Sequence, residues 1–167
     1  MSGRYMTYVG SYSYTGKAKG ITVFDVDVEK GTFKERCEME VNNSSYVIAS
    51  SDGKTLYSIA DEGVVSFRIL QNGALARLNS APIRGMRGCH LCSDLEDKFI
   101  FVSGYHDGKT TILSLNKDGS VGGIVDGVYD KGYGSVAERN FRPHVTCTRR
   151  MPDNKYVLSV RSNGWIR

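Results

Sequence analysis

Short apolar runs alternate with turn residues along the whole chain. The runs are rich in Val, Ile, Tyr, Phe and Thr, and Gly, Asn and Asp separate them. No window of about a dozen residues carries the apolar stripe that a helix would bury. The pattern therefore predicts an all-β protein. The expected strands are Met6–Ser11, Gly20–Asp27, Tyr46–Ser50, Thr55–Ala60, Gly63–Leu70, His90–Ser93, Phe99–Tyr105, Lys109–Asn116, His144–Arg149 and Tyr156–Val160.

The predicted strands fall into a repeated unit. A strand, an acidic turn, a lysine and a second strand recur around Lys54, Lys98 and Lys155. These lysines are 44 and then 57 residues apart, and a Gly-rich insertion over 122–141 is expected to fill the longer interval. A repeat of about 40–50 residues with about four strands is typical of β-propeller blades. We therefore expect a partial β-propeller of about three and a half four-stranded blades, in one domain with blade-like units at about 5–45, 46–88, 89–143 and 144–167.

A β-sandwich and a solenoid are the alternatives to a propeller. A sandwich also has many short strands but does not require internal repeats, and the repeated unit is too long for a rung of a β-helix. Because closed propellers typically have four to eight blades, a chain of this length would form only part of a ring. Such a part leaves a blade edge and an apolar blade face uncovered, which favours self-association through the open edge.

Composition and charge narrow the functional classes. Of the 167 residues, 40% are hydrophobic and 24% are charged, which is ordinary for a globular domain. The net charge of +4 is scattered along the chain, so nothing supports a nucleic-acid partner. The sequence has neither a run of about eighteen apolar residues nor the apolar core of a signal peptide. We therefore expect no membrane partner and a cytoplasmic location.

The spacing of the cysteines suggests a metal site, but the predicted strands argue against it. Without a secretory signal, Cys37, Cys89, Cys92 and Cys147 are expected to be reduced thiols. Cys89 with Cys92, and His144 with Cys147, have the spacing of zinc ligands. On a strand, however, residues i and i+3 face opposite sides, so neither pair is expected to chelate. We expect no metal and, since no cofactor motif is present, no cofactor.

Several motifs recur in a fixed order along the chain: Tyr8–Tyr12, Gly20–Phe24, Gly88–Leu91 with Phe99–Gly108, and Arg142–Val145 with Pro152–Tyr156. Together they resemble the seven-bladed β-propeller lactonase family. The similarity covers residues 5–160 and keeps the order and spacing of the motifs. This family includes the propeller-type 6-phosphogluconolactonases and is related to the carboxymuconate lactonizing enzymes. Its members are roughly twice as long, so the chain resembles their N-terminal portion and is expected to be a truncated and inactive fragment.

The resemblance implies a lactone hydrolase of sugar metabolism. The expected reaction is the hydrolysis of 6-phosphogluconolactone to 6-phosphogluconate in the pentose phosphate pathway, with a small-molecule sugar lactone as the partner. That chemistry needs a base to activate water, donors for the developing oxyanion and cations for the phosphate. A non-catalytic ligand-binding or scaffolding propeller is the alternative, because one fold serves many functions.

The resemblance also places an active site at one mouth of the central channel. His90 stands where the family has a histidine, and His144 belongs to a motif that commonly reads Pro-His-x-His, so both are candidate catalytic residues. His90 has a structural alternative, as a ring that caps a turn between blades. Thr146 replaces the second histidine of the motif, and a threonine cannot act as a base near neutral pH. Arg142 and Thr146 are the candidate substrate-binding residues.

Overall fold

The computed structural model describes residues 4–132 and 143–162. These residues form thirteen β-strands and no helix, so none of them lies in a helix that could cross a membrane. The strands are β1 (Arg4–Gly10), β2 (Gly20–Asp27), β3 (Thr32–Glu40), β4 (Val47–Ala49), β5 (Thr55–Ala60), β6 (Gly63–Ile69), β7 (Leu75–Ala81), β8 (His90–Ser93), β9 (Phe99–Gly104), β10 (Lys109–Leu115), β11 (Val121–Tyr129), β12 (His144–Arg150) and β13 (Val157–Ser162).

The strands form four antiparallel sheets in chain order. The first sheet is β1-β2-β3, the second β4-β5-β6-β7, the third β8-β9-β10-β11 and the fourth β12-β13. Every hydrogen-bonded pair joins strands that are consecutive in the chain, so each sheet is a simple meander. A series of four-stranded meanders is the architecture of propeller blades. The predicted all-β fold and partial β-propeller are therefore confirmed.

The apolar pattern finds ten of these strands and misses three. The ten predicted ranges agree with the structure to within two residues at each end. The missed strands are β3, β7 and β11, and each is the last strand of its sheet. The expectation of a Gly-rich insertion is wrong over its first part, because Val121–Tyr129 is β11. The other part, 133–141, lies outside the described residues.

Two apolar layers hold the first three sheets together. Strands β5 and β6 contribute to both layers, because alternate residues of a strand face opposite sides. Leu56, Val65 and Phe67 pack toward the first sheet, against Ile21. Tyr57, Ile59 and Val64 pack toward the third sheet, against Leu91, Ile100, Val102 and Leu113. The second sheet is thus covered on both faces, which accounts for the continuous apolar runs in its sequence.

The interface between the third and fourth sheets is more polar. The hydroxyls of Ser103 and Thr148 are fully buried and lie 2.7 Å apart, and those of Thr110 and Ser159 lie 3.4 Å apart. Both pairs join the third sheet to the fourth. Hydrogen bonds between buried hydroxyls satisfy groups that would otherwise lose contact with water.

Candidate functional site

The sheets are stacked in the same orientation, which creates two rims. The strands that open the second, third and fourth sheets, β4, β8 and β12, are the inner strands. Side chains at the start of each inner strand contact one another, and so do the turns that follow these strands. We call the end at which the inner strands start the upper rim and the end with those turns the lower rim. Both predicted catalytic histidines lie at the upper rim.

Three equivalent residues make a row along the inner strands. Tyr46, His90 and Cys147 each lie eight residues before the repeated lysine of their blade. The rings of Tyr46 and His90 are 4.5 Å apart between centroids. Nε2 of His90 lies 3.5 Å from Sγ of Cys147. The repeat thus brings an aromatic ring, an imidazole and a thiol into contact across three sheets.

His90 is held as a neutral ring with its Nε2 protonated. The backbone N–H of Thr148 donates to Nδ1 of His90 at 3.4 Å, so in the neutral ring the proton is on Nε2. Nε2–H then donates to Sγ of Cys147. Burial, together with the positive charge of Arg149, lowers the pKa of His90. His90 therefore offers a donor to its neighbour, as a residue that joins the inner strands would.

His144 has the opposite arrangement. His144 is 8% exposed as a residue, and its ring stacks on Tyr105, with centroids 4.4 Å apart and planes at 10°. Nδ1 of His144 lies 2.8 Å from the backbone oxygen of Tyr105. A carbonyl only accepts, so Nδ1 carries the proton and, in the neutral ring, Nε2 carries the lone pair. The backbone thus fixes the tautomer that a general base requires.

Thr146 lies at an irregularity of β12. The pairing of β12 with β13 shifts between Val145 and Cys147, which makes Thr146 the extra residue of a β-bulge. Its hydroxyl donates to the backbone oxygen of Val160 at 3.2 Å. The hydroxyl is therefore used within its own sheet. Arg142, the other predicted substrate-binding residue, lies outside the described residues.

The thiol of Cys89 also lies in this region and has a backbone partner. Sγ of Cys89 donates to the backbone oxygen of Val145 at 3.4 Å, and burial raises the pKa of the Cys89 thiol. All four cysteines are free. Within 4–132 and 143–162, no group of three or more His, Cys, Asp or Glu side chains is arranged to hold a metal ion.

A polar cluster at the upper rim is missed by the sequence argument. Nη1 of Arg87 donates to Asp61 at 2.9 Å, and the guanidinium lies 4.9 Å from the ring centroid of Tyr12. Nδ2 of Asn43 donates to the other oxygen of Asp61 at 2.8 Å. We call these four residues the rim cluster. The repeat carries a signal for it, because Asn43 and Arg87 each stand three residues before the row residue of their blade.

The comparisons with known proteins establish the family. A family model described as "Lactonase, 7-bladed beta-propeller" matches residues 6–161. The chain belongs to this lactonase family. It is 32% identical over 163 residues to the 6-phosphogluconolactonase of Bacillus subtilis. The predicted resemblance is confirmed.

Solved structures of lactonases share the fold. A candidate 6-phosphogluconolactonase from Bacteroides fragilis is 33% identical, with a TM-score of 0.88 over 95% of this chain. The periplasmic gluconolactonase of Pseudomonas aeruginosa is 21% identical, with a TM-score of 0.87 over 96% of this chain, and shows the fold alone. The chain spans about half the length of these relatives: 46% of the Bacillus subtilis protein, 46% of the Bacteroides fragilis chain and 48% of the Pseudomonas aeruginosa chain.

Proposed function

We propose that this protein takes part in the hydrolysis of a sugar lactone, 6-phosphogluconolactone, with His144 as the general base. The observation that carries the proposal is the tautomer of His144, fixed by its hydrogen bond to Tyr105 at the upper rim. The similarity to the Bacillus subtilis 6-phosphogluconolactonase supports the substrate class. In this proposal the product, 6-phosphogluconate, enters the pentose phosphate pathway.

The reaction needs one base and one acid, and a single imidazole can serve as both. Nε2 of His144 takes a proton from a water molecule while the water oxygen attacks the lactone carbonyl carbon. The bond between that carbon and the ring oxygen then breaks, and the imidazolium returns its proton to the ring oxygen. Water and lactone thus give the open hydroxy acid, with no change in the enzyme. The carbonyl of Tyr105 stabilises the imidazolium through Nδ1–H.

The other predicted site residues have supporting roles in this proposal. His90 holds β8 against β12 through Thr148 and Cys147 and so positions the strand that carries His144. Arg142 and Thr146 remain the proposed contacts to substrate. We place the protein in the cytoplasm, and the four free cysteines support a reducing compartment.

The test compares three histidine variants of the purified chain. Loss of 6-phosphogluconolactone is followed above its spontaneous rate. His144→Gln is expected to lower the catalysed rate about 10²- to 10⁴-fold, which is the usual contribution of a general base to the rate. His106→Gln is the matched control, since His106 lies in the rim turn beside Tyr105 and has no part in the proposed chemistry. Unchanged activity in His144→Gln would overturn the assignment of the base.

His90→Gln separates positioning from catalysis. If His90 only positions β12, this variant should lower the melting temperature, and the pH dependence of the remaining activity should stay that of the parent. A change in the pH profile without loss of stability would instead place His90 in the chemistry.

A non-catalytic ligand-binding propeller is the second candidate function. The observation that favours it is Thr146, which cannot act as a base and whose hydroxyl is used by Val160. Under this alternative the chain binds 6-phosphogluconate and hydrolyses the lactone at the spontaneous rate. Calorimetric titration with 6-phosphogluconate, made beside the activity measurement, distinguishes the two functions.

Self-association is part of the proposal as well. Strand β13 exposes Val157, Leu158 and Val160 by 40–53%, which supports association of two copies through the fourth sheet. Sedimentation of the chain should then show a dimer that Leu158→Lys weakens. A monomer at all concentrations would refute this part.

A further inference from the structure

Arg87 is fixed at the upper rim by contacts with two other blades. It precedes the third sheet, while Asp61 lies between β5 and β6 of the second sheet and Tyr12 lies between β1 and β2 of the first. The ion pair with Asp61 and the position over the Tyr12 ring hold the guanidinium from two directions. A side chain that is ordered before binding loses less entropy when a ligand arrives.

The partners of Arg87 are themselves fixed. Asn43 donates to Asp61, and its Oδ1 accepts the backbone N–H groups of Ser13 and Tyr14 at 3.0 and 3.1 Å. Asn43 has a φ of 55°, a left-handed conformation that asparagine tolerates better than most residues with a side chain. The side chain of Asn43 connects the first two sheets.

The loop that carries Arg87 is also anchored on the His144 side. The backbone N–H of Met86 donates to Asp107 at 2.6 Å. Asp107 belongs to the same turn as Tyr105, on which His144 stacks. Contacts therefore run from the rim cluster to His144 without leaving the upper rim.

Arg87 has donors left for a ligand. A guanidinium has five N–H groups, and in the described part of the chain Asp61 accepts from Nη1. The edge formed by Nε and Nη2 has the planar, two-donor geometry that matches two oxygens of a phosphate. The side chain of Arg87 is 34% exposed, so this residue is accessible while it is held.

We infer that Arg87 binds the phosphate group of a phosphorylated sugar lactone and is the residue that selects phosphorylated over unphosphorylated substrate. Tyr12 and Asp61 hold the guanidinium in place, and Asn43 holds Asp61. The inference rests on the proposed lactone hydrolysis for the identity of the ligand.

The test measures binding to the full chain, so that it does not depend on catalysis. Calorimetric titrations use 6-phosphogluconate and gluconate, which differ only in the phosphate. Arg87→Gln is expected to weaken binding of 6-phosphogluconate about tenfold or more and to leave binding of gluconate within about twofold. Arg36→Gln is the matched control, because Arg36 also pairs with an aspartate, Asp25, on the first sheet. It should leave both affinities unchanged.

A second variant guards against misfolding. If Arg87→Gln lowers the melting temperature enough to prevent titration, Arg87→Lys keeps the charge but not the two-donor geometry. Its preference for 6-phosphogluconate over gluconate should lie below that of the parent. Equal losses for both ligands, no loss for either, or a parent chain that does not prefer the phosphorylated ligand would each overturn the inference.

The two proposals fail in different ways. Phosphate-selective binding that depends on Arg87, in a chain without lactonase activity, would refute hydrolysis and keep the anion site. Lactonase activity with a phosphate preference that Arg87→Gln does not change would support hydrolysis and refute the role of Arg87.

Discussion

Two buried histidines at the start of inner strands differ in whether the backbone donates a hydrogen bond to Nδ1 or accepts one from it. In His90 a backbone N–H points at Nδ1, and in His144 a backbone carbonyl accepts from Nδ1. The first leaves a donor at Nε2 and the second leaves an acceptor. Residue type alone would give both the same role, and the assignment of the base depends on these two backbone atoms.

The lowered pKa of His90 makes stability depend on pH. Folding keeps this ring neutral, so below about pH 6.5 the unfolded chain binds a proton that the folded chain resists. The free energy of unfolding should therefore fall as the pH drops from about 6.5 toward the folded pKa. In His90→Gln this component is absent, and the fall should be shallower. Urea unfolding at several pH values measures both slopes, and parallel slopes would contradict the prediction.

Asn43 is expected to be the most sensitive polar residue of the upper rim. Asn43→Ala removes hydrogen bonds to Ser13, Tyr14 and Asp61 and leaves a left-handed backbone without compensation. At about 1 kcal/mol for each bond, the free energy of unfolding should fall by about 2–4 kcal/mol. Asn43→Gly loses the same bonds but tolerates the backbone, so it should lose less. Denaturant titration orders the two variants, and the reverse order would refute the argument from strain.

At the scale of elements, two of the three strands that the sequence misses, β3 and β11, are largely exposed. In β3 the buried or half-buried residues are confined to the C-terminal half, and in β11 most residues after Val121 are exposed. An outer strand faces solvent, so selection for apolar residues is weak there. Strands β5, β6 and β9 are buried along most of their length, and their apolar runs can be recognised without a structure.

The turns at the lower rim repeat a contact between blades. The residue before each repeated lysine, Gly53, Asp97 or Asn154, has a positive φ of 49–69°. Asp97 accepts the backbone N–H of Ser51 at 2.7 Å, and Asn154 accepts that of Leu95 at 3.1 Å. Each of these two side chains contacts the turn of the preceding blade. The donor there stands two residues before the positive-φ residue of that turn: Ser51 before Gly53, and Leu95 before Asp97. We call this contact the turn hook.

Replacing the side chain that accepts the turn-hook hydrogen bond should lower the free energy of unfolding. The loss should be larger when the new side chain has no acceptor. Asp97→Ala loses the bond to Ser51 and keeps an unfavourable φ, so the free energy of unfolding should fall by about 1–3 kcal/mol. Asp97→Asn keeps an acceptor and a residue that tolerates this backbone, and it should lose less. Denaturant titration of both variants makes the comparison. Equal losses would mean that Ser51 does not need this partner.

At the scale of the whole molecule, the blade interfaces differ in character. The interfaces of the second sheet are apolar and buried, whereas hydroxyl pairs join the third sheet to the fourth. Apolar burial contributes more to stability than hydrogen bonds that replace bonds to water. The fourth sheet should therefore open more readily than the rest.

Native-state hydrogen exchange can test this order. Backbone amides of β5 and β6 should exchange most slowly, because both faces of their sheet are covered. Amides of β12 and β13 should exchange faster. Protection of β13 equal to that of β5, at concentrations where the chain is monomeric, would contradict this order.

The sequence predicts the architecture better than the site. Repeated lysines and turn residues specify the blades because each unit carries its own local pattern. His90 and His144 can be named from the family motifs, but their tautomers depend on Thr148 and Tyr105, which are distant in sequence. Arg87 is harder still to find, since Asp61 and Tyr12 become its neighbours only when three blades are stacked.

The turn hook has a consequence for how such chains change in evolution. Its acceptor lies in one repeat and its donor is a backbone N–H, which every non-proline residue at that turn provides whatever its side chain. A duplicated repeat that carries the acceptor, as those of Asp97 and Asn154 do, thus brings its own attachment to whichever repeat precedes it. Genes that gain or lose a repeat would keep the lower rim joined without a second, compensating mutation.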